Sequence, residues 1–143
     1  YGGIYGLKKS QITERTGTLL DRLRFREYGN KLIADLPLGL RQKLSFSVAL
    51  LHEPKIVFLD EPTGGVDPIT RRQFWEMIYE TAALGITIFV TTHYMDEAEY
   101  CDRISIMNEG RIVALDTPEN LKKQYKAASV EEVFIKIARP AKP

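Results

Sequence analysis

The sequence predicts an α/β fold with a mainly parallel sheet and flanking helices. Two short apolar runs carry this prediction, and each ends in chemically reactive side chains. The first, residues 56–59, is continuously apolar, which is typical of a parallel strand buried on both faces. It ends in the carboxylates of Asp60 and Glu61, and the second run, residues 86–92, ends in His93. Because ligands bind at the carboxyl ends of parallel strands, these side chains predict one catalytic edge.

The part of the chain before the first strand is predicted to be mostly helical. Residues 1–9 look like the end of a helix, and apolar spacing over residues 10–25 predicts an amphipathic helix. An extended piece is expected at residues 31–35, and proline and glycine within residues 36–39 predict a loop. A further helix over residues 40–52 has one apolar face and ends before a proline.

A strand–helix–strand unit is predicted in the middle of the chain. Gly64 and Gly65 make a turn after the first strand, and Asp67 followed by Pro68 predicts a capped helix start. Gly85 ends this helix, and the second strand then completes a right-handed βαβ crossover. The buried stripe of the helix is predicted to consist of Trp75, Ile78, Tyr79 and Ala82.

The last part of the chain is predicted to hold a hairpin between two helices. A short acidic helix runs through residues 96–99. Residues 103–107 and 111–115 are strand-like and are joined by a turn at residues 108–110 with glycine at its tight position. Thr117 and Pro118 predict the start of another helix, which reaches about residue 125.

Composition excludes several classes of function. The balance of 20 basic and 19 acidic residues gives a net charge of +1, whereas nucleic-acid binders usually carry a basic excess. A single cysteine, Cys101, excludes an internal disulfide, and we interpret it as a small buried hydrophobe. The sequence has no apolar run near 18 residues, so we expect no transmembrane helix in it.

The ordered motifs resemble those of the ABC-type ATPases. Residues 59–68 closely resemble the Walker B motif and D-loop of that family, and residues 91–93 are similar to its switch histidine. Residues 36–43 lie where the family carries its signature motif, and the turn at 108–110 resembles its closing hairpin. The likeness runs from about residue 32 to residue 125. It implies a P-loop NTPase-like fold with a helical signature region, truncated at its N-terminal side.

The resemblance also implies ligands and roles for individual residues. ATP and Mg²⁺ would be bound, with Asp60 holding the metal ion through water and Glu61 orienting or deprotonating the attacking water. His93 would hydrogen-bond the terminal phosphate. Asp67 would contact a partner across a dimer interface, since its helix cap leaves one carboxylate oxygen available. The residues implied to bind nucleotide from the signature region are Leu38, Gly39, Leu40, Arg41 and Gln42.

The signature segment departs from the family pattern at two positions. Pro37 replaces the family's serine and supplies neither a hydroxyl nor an N–H group, and Leu38 replaces its first glycine. Each lost hydrogen bond to a charged group is worth about 1.5–3 kcal/mol. We therefore expect ATP to be held less tightly between this segment and the partner subunit. The half-site would then have low activity or dock in a different geometry.

The phosphate-binding P-loop, G-x-x-x-x-G-K-[ST], is not found in these 143 residues, nor is the glutamine loop. We therefore expect the chain to be the carboxyl-terminal part of a nucleotide-binding domain, unable to hydrolyse ATP alone. Residues 1–53 would form the helical signature region, residues 54–125 part of the catalytic core, and residues 126–143 a tail with a frayed end. An exposed apolar face is expected, which self-association or another route would cover.

The implied function is that of the ATP-hydrolysing subunit of an ABC membrane transporter, most similar to exporters whose permease is a separate polypeptide. Its partners would be a second nucleotide-binding domain and the permease, which would hold it on the cytoplasmic face of the membrane, and not nucleic acid. Two alternatives stay open. One is a soluble ABC ATPase of DNA repair or translation. The other is a non-catalytic dimerisation or regulatory cassette, which Pro37 and Leu38 favour weakly and the intact catalytic residues oppose. The cargo and the direction of transport are not encoded.

Overall fold

The computed structural model describes residues 2–22, 26–28 and 31–138. Contacts between backbone positions divide the chain into two units, Tyr1–Thr91 and Thr92–Pro143. The first unit contains the parallel strand pair with helices before and between its strands, which confirms the predicted α/β class. Among the described residues, none of the helices combines the length and the apolar character that a membrane span requires.

The first unit begins with helices. In chain order its elements are α1 (Lys9–Arg22), the 3-10 helices Arg26–Tyr28 and Ile33–Asp35, α2 (Leu38–Ala49), β1 (Ile56–Asp60), α3 (Pro68–Ala83) and β2 (Thr87–Thr91). Residues 2–6 form turns, so the helix end predicted for residues 1–9 is wrong. The predicted end of α1, residues 23–25, lies outside the described residues.

The extended piece predicted at residues 31–35 is also wrong. The backbone N–H of Asp35 donates to the carbonyl of Leu32 at 3.0 Å, and that of Leu36 donates to Ile33 at 3.2 Å. These bonds span three residues and close a 3-10 helix. Residues 33–35 therefore form local hydrogen bonds and do not pair with a strand. Among the described strands of this unit, β1 and β2 pair only with each other.

The strands β1 and β2 lie parallel, with Asp60 opposite Thr91. This register confirms the strand–helix–strand unit. Burial of β1 on both faces was expected and is wrong: Val57 is buried, but the side chain of Phe58 is 74% exposed. In the described part of the chain β1 has one neighbouring strand, and one face of the pair is left uncovered. The exposed apolar face that the sequence predicted consists of Ile56, Phe58 and Phe89.

Helix α3 begins and ends as its sequence predicts. Asp67 accepts hydrogen bonds from the backbone N–H groups of Ile69 and Thr70, and Pro68 is the first helical residue. The proline costs nothing there, because the N–H that it lacks has no partner in a first turn. Gly85 follows the helix with a φ of 85°, in the left-handed region that glycine adopts without strain.

The buried stripe of α3 differs in part from the prediction. Tyr79 is 49% exposed and Ala82 is exposed, so both were assigned wrongly to the core. The helix instead turns Phe74 toward Phe46 of α2, with the two ring centroids 5.5 Å apart. The position of α2 therefore decides which face is buried, and apolar spacing within α3 does not reveal it. The buried residues of α3 are Phe74, Trp75, Ile78 and Thr81.

The second unit packs a hairpin against short helices. Its elements are α4 (Met95–Ala98), β3 (Ile104–Asn108), β4 (Arg111–Asp116), α5 (Pro118–Tyr125) and α6 (Val130–Ala138). The hairpin and the start of α5 are confirmed, and the turn has positive φ at Glu109 (49°) and Gly110 (74°). The buried residues of this core are Ile104, Ile106, Leu121, Val130 and Val133. Residues 139–143, where fraying was predicted, lie outside the described part.

Cys101 packs against the core of the second unit. Burial, together with the negative charges of Asp102 and Glu97, raises the pKa of its thiol to about 11. A thiol with this pKa stays protonated at neutral pH and is a poor nucleophile. The interpretation of Cys101 as a small hydrophobe agrees with this environment.

Candidate functional site

The first predicted site residue, Asp60, ends strand β1. Thr91, which ends β2 opposite to it, donates its hydroxyl to a carboxylate oxygen of Asp60 at 2.5 Å. The side chain of Asp60 is nevertheless exposed. The parallel pair therefore holds this carboxylate at the tip of the strand while leaving it accessible to a ligand, which is the arrangement expected at the carboxyl end of a parallel sheet.

Glu61 leaves the line of the strand in a strained conformation. Its φ is 43°, in the left-handed region that costs a residue with a Cβ about 1–2 kcal/mol. Its backbone N–H donates to both the carbonyl and the hydroxyl of Thr91, at 3.1 and 3.2 Å. The N–H of Gly64 donates in turn to the Glu61 carbonyl at 3.0 Å. Backbone strain of this kind concentrates at functional sites, so Glu61 is a candidate for chemistry.

The signature segment starts α2 directly, which corrects the loop predicted for residues 36–39. Leu38 and Gly39 are the first residues of the helix, and Pro37 precedes it without a side-chain cap. A Cβ at Gly39 would lie 2.3 Å from the methyl carbon of Thr70 in α3. Only glycine therefore lets the start of α2 approach α3 so closely.

A side-chain hydrogen bond also ties α2 to the turn after β1. The amide of Gln42 donates to the carbonyl of Gly64 at 3.2 Å. Leu38 packs over the same turn, with its methyl carbon 3.4 Å from the place of a Cβ on Gly65. The signature segment and the turn that follows Glu61 thus form one packed structure inside the first unit.

A groove of about 460 Å³ lies between α2 and the end of β1. Five of the predicted site residues line it: Leu38, Arg41, Gln42, Asp60 and Glu61. Two others do not belong to its lining, since Gly39 faces Thr70 and Leu40 is half-buried elsewhere on α2. The groove therefore brings basic and amide groups of the signature segment to the same space as the two carboxylates.

Asp67 caps α3 with one oxygen and uses its second oxygen as well. The hydroxyl of Thr70 donates to that second oxygen at 2.6 Å. This bond, supported by the N–H groups of Thr70 and Ile69, holds the pKa of Asp67 below its ordinary value. The cap is confirmed. The predicted contact across a dimer interface stays a prediction, and any such contact has to share the second oxygen with Thr70.

His93 lies in the second unit, two residues after β2, and its side chain is exposed. Its ring contacts that of Tyr94, with centroids 4.2 Å apart. The hydroxyl of Thr92 accepts the N–H of Tyr94 at 3.0 Å and donates to the carboxylate of Glu97 at 2.8 Å. The approach of His93 to the two carboxylates of the first unit stays a prediction.

Glu97 is the residue that the sequence did not single out. Its side chain is fully buried, with 0% exposure, although it belongs to the stretch that the sequence predicts as a short acidic helix. The sequence holds a weak signal for this burial, because Met95 and Ala98 in the same four-residue helix are apolar. That signal is too short to define a buried face by periodicity.

Oxygen ligands at this edge fit magnesium better than transition metals. No group of three or more His, Cys, Asp or Glu side chains in residues 2–22, 26–28 and 31–138 is arranged to hold a metal ion. Magnesium, however, commonly takes one or two protein carboxylates and completes its shell with phosphate and water. The exposed carboxylate of Asp60 suits that mode of binding.

Comparisons with known proteins agree with these motifs. A family model described as "AAA domain, putative AbiEii toxin, Type IV TA system" matches residues 14–95. The chain is 41% identical over 142 residues to the "Probable multidrug ABC transporter ATP-binding protein YbhF" of Escherichia coli (strain K12). It is 35% identical over 135 residues to the "Nod factor export ATP-binding protein I" of Cupriavidus metallidurans. These alignments cover 96% and 94% of this chain, but 25% and 45% of those proteins.

Solved structures share the fold. The "Structure of ATP binding subunit of ABC transporter" matches with a TM-score of 0.81 and 30% identity, covering 96% of this chain and 59% of that one. A second structure, titled "Structure of cbiO1 from clostridium perfringens: Part of the ABC transporter complex cbiONQ", matches with a TM-score of 0.71 and 28% identity. That match covers 94% of this chain and 53% of the other. The chain therefore spans between a quarter and about three fifths of these proteins.

Proposed function

Since this chain belongs to the ABC-type ATPase domains, we propose that it carries the hydrolytic half of the nucleotide site in the ATPase subunit of an ABC transporter. The glycine-rich P-loop, which cradles phosphates in this class of fold, does not occur in its sequence. Phosphate binding therefore has to come from residues outside these 143, and the chain alone should not turn over ATP.

Asp60 is the proposed magnesium residue. Its carboxylate is exposed at the strand tip and oriented by the hydroxyl of Thr91. It would hold Mg²⁺ through water, because this ion keeps much of its hydration shell. When bound, Mg²⁺ neutralises charge that develops on the phosphate oxygens.

Glu61 is the proposed general base. The turn that starts at its positive φ points the chain away from β1, and Glu61 lines the groove beside Asp60. The carboxylate accepts a proton from the attacking water or orients it. General-base assistance contributes about 10²–10⁴ in rate, which corresponds to roughly 3–5 kcal/mol of barrier.

His93 is the proposed sensor of the terminal phosphate. Its imidazole is exposed next to the end of a strand, and an N–H group of the ring would donate a hydrogen bond to a phosphate oxygen. The roles proposed for Asp60, Glu61 and His93 require that the two units bring these side chains to one point in the nucleotide-bound protein.

The start of α2 is proposed to face a nucleotide held by a second nucleotide-binding domain. Free N–H groups and the helix dipole favour an anion at this end. The residues assigned to this contact are Leu38, Gly39, Leu40, Arg41 and Gln42. Pro37 contributes no donor, so this half-site should bind the triphosphate more weakly than one with a serine there.

The proposed partners and cellular location are those of a transporter subunit. ATP-binding subunits of ABC transporters work with membrane permeases, and two relatives are named for multidrug transport and for export. We propose a separate permease, a second nucleotide-binding domain, and a place on the cytoplasmic face of the membrane. In this arrangement residues 1–53 form the helical signature region, whose part around residues 10–25 contacts the permease. Residues 54–125 contribute to the catalytic core, and residues 126–143 form a tail.

The observation that carries this proposal is the pair of adjacent carboxylates at the end of a parallel strand, both of them exposed and the second on a strained backbone. Its test is ATP hydrolysis by the full-length parent protein with Glu61→Gln. We expect turnover to fall by at least about 100-fold while ATP binding is retained, because the amide cannot accept the proton.

Glu76→Gln is the matched control. Glu76 is an exposed residue of α3 that pairs only loosely with Arg72 at 3.4 Å, so its replacement should leave turnover unchanged. Turnover by the Glu61→Gln protein at the rate of this control would refute the role of Glu61. Robust hydrolysis by the 143-residue chain alone would refute the half-site proposal.

A further inference from the structure

Glu97 is a fully buried carboxylate on a helix of four residues. Acidic side chains are almost never fully buried unless they are paired, because removing a charge from water is costly. The reaction proposed above gives Glu97 no part, and Glu97 does not belong to the exposed edge of β1. Its retention in the interior therefore needs another explanation.

The contacts of Glu97 enclose the turn that carries His93. The Thr92 hydroxyl donates to the Glu97 carboxylate at 2.8 Å and accepts the N–H of Tyr94 at 3.0 Å. The N–H of Glu97 donates back to the Tyr94 carbonyl at 3.1 Å. One hydroxyl cannot donate and accept in arbitrary directions, so these bonds fix the orientation of Thr92 and of the backbone on both sides of His93.

We propose that Glu97 is a positioning residue that acts through Thr92 to hold His93 in the conformation that meets the terminal phosphate. The imidazole itself stays exposed and rests against the ring of Tyr94, at a centroid distance of 4.2 Å. The buried carboxylate thus fixes the backbone of a side chain that has to be accessible. Side chains that contact reacting groups need support of this kind, because a displacement of about 1 Å can cost 100-fold in rate.

This inference rests on the proposed role of His93, and a double-mutant cycle in the full-length parent protein tests it. Thr92→Val removes the hydroxyl and keeps the shape of the side chain. We expect the kcat for ATP to fall about 10-fold or more, with KM changed little, because the imidazole is misplaced rather than lost. Thr92→Ser keeps the hydroxyl and should restore most of the activity.

The cycle separates positioning from general stability. In a His93→Ala background the Thr92→Val change should cost almost nothing further, since no imidazole remains to be placed. Glu97→Gln, which retains a carbonyl acceptor for Thr92, should be milder than Glu97→Ala. Thr81→Val is the matched control, because the Thr81 hydroxyl is also buried and donates to the Met77 carbonyl at 2.8 Å, but in α3.

Two results would overturn the inference. One is a kcat for Thr92→Val equal to that of Thr81→Val. The other is an equal loss from Thr92→Val with and without His93, which would mean that the threonine supports only the fold. A failure of the proposed function looks different: the unmodified parent protein would not hydrolyse ATP, or His93→Ala would be as active as the unmodified protein.

Discussion

Gly39 sets the distance between two helices because it lacks a side chain. The methyl carbon of Thr70 occupies the space where a Cβ of Gly39 would be, at 2.3 Å. The Thr70 hydroxyl meanwhile bonds to Asp67, so this side chain cannot rotate away without losing that bond. Gly39 is also one of the residues predicted to bind nucleotide. The structure adds a packing role, which the residue keeps whether or not a nucleotide is bound.

Gly39→Ala should lower the free energy of unfolding by about 1–3 kcal/mol, the usual cost of forcing extra atoms into a packed contact. Chemical denaturation of the chain followed by circular dichroism measures it. Thr70→Ser removes the obstructing methyl and keeps the hydroxyl, so it should rescue most of the loss. Gly17→Ala in α1 meets nothing within 4 Å and should be neutral or stabilising by about 0.5–1 kcal/mol. Equal effects at Gly39 and Gly17 would contradict the packing role.

Single residues at the strand tip were predictable for a simple reason. Asp60 and Glu61 follow a short apolar run, and strand direction alone places them at the ligand-binding end of the sheet. The positive φ of Glu61 was not predictable, because it depends on hydrogen bonds to Thr91, thirty residues away in the chain. Burial of Glu97 was missed for another reason: its helix of four residues is too short for a periodic pattern to mark a buried face.

At the scale of elements, Glu99 anchors α6 to the rest of the second unit. One of its oxygens accepts the N–H of Val130 in the first turn of α6 at 2.8 Å, and the other accepts Lys122 of α5 at 2.5 Å. Burial raises the pKa of Glu99, but the hydrogen bonds from Lys122 and Val130 and the charge of Lys122 outweigh burial, so the pKa lies below its ordinary value. Both bonds therefore favour the charged form.

The contribution of Glu99 should depend on pH. A carboxyl group with a lowered pKa in the folded state stabilises the fold above its ordinary pKa of 4.5, and this stabilisation is lost as the pH falls through the lowered value. Glu99→Gln should therefore destabilise the protein by about 1 kcal/mol at pH 7 and by progressively less below pH 4.5. Urea denaturation at several pH values measures the difference.

Glu119→Gln is the control for this pH series. Glu119 and Lys123 form an exposed pair at 3.9 Å, with both side chains more than three quarters exposed, so the loss of this pair should hardly register. A destabilisation by Glu99→Gln that is the same at acidic and neutral pH would show that the charge of Glu99 does not support α6.

Elements with local signals were predicted well, and those that depend on distant neighbours were not. The starts of α3 and α5 were found because Asp67 and Thr117 cap them and a proline follows each. The 3-10 helix at Ile33–Asp35 was missed, since apolar content without periodicity does not distinguish a short helix from a strand. The early start of α2 was missed because proline and glycine within residues 36–39 predicted a loop. The predicted tail, residues 126–143, contains α6, whose first turn is held by a hydrogen bond to Glu99 that no local pattern indicates.

At the scale of the whole molecule, the exposed face of the parallel pair dominates the expected solution behaviour. Phe58 and Phe89 contact each other at a centroid distance of 5.7 Å and are 74% and 52% exposed. Ile56 extends this face on the same strand. Contiguous apolar surfaces of this kind mark interaction sites or cause self-association.

Phe58→Ser together with Phe89→Ser should lower dye binding and self-association of the isolated chain. Because both side chains are exposed, the replacements should change stability only modestly. Fluorescence of a hydrophobic dye and light scattering measure the two effects. Ile4→Ser removes an apolar side chain that is 82% exposed in the N-terminal turns and should change neither. A clean monomer without dye binding in the unmodified chain would contradict the prediction.

The three proposed catalytic residues are contributed by two units. The proposed function therefore requires that their side chains meet at one nucleotide. Asp60 and Glu61 belong to the first unit and His93 to the second. The measurement that tests it is a structure of the full-length Glu61→Gln protein with ATP and Mg²⁺. We expect Asp60, residue 61 and His93 to surround the terminal phosphate, with the start of α2 facing the nucleotide of a second nucleotide-binding domain. A triphosphate bound away from these side chains, or His93 turned from its phosphate, would contradict the proposed site.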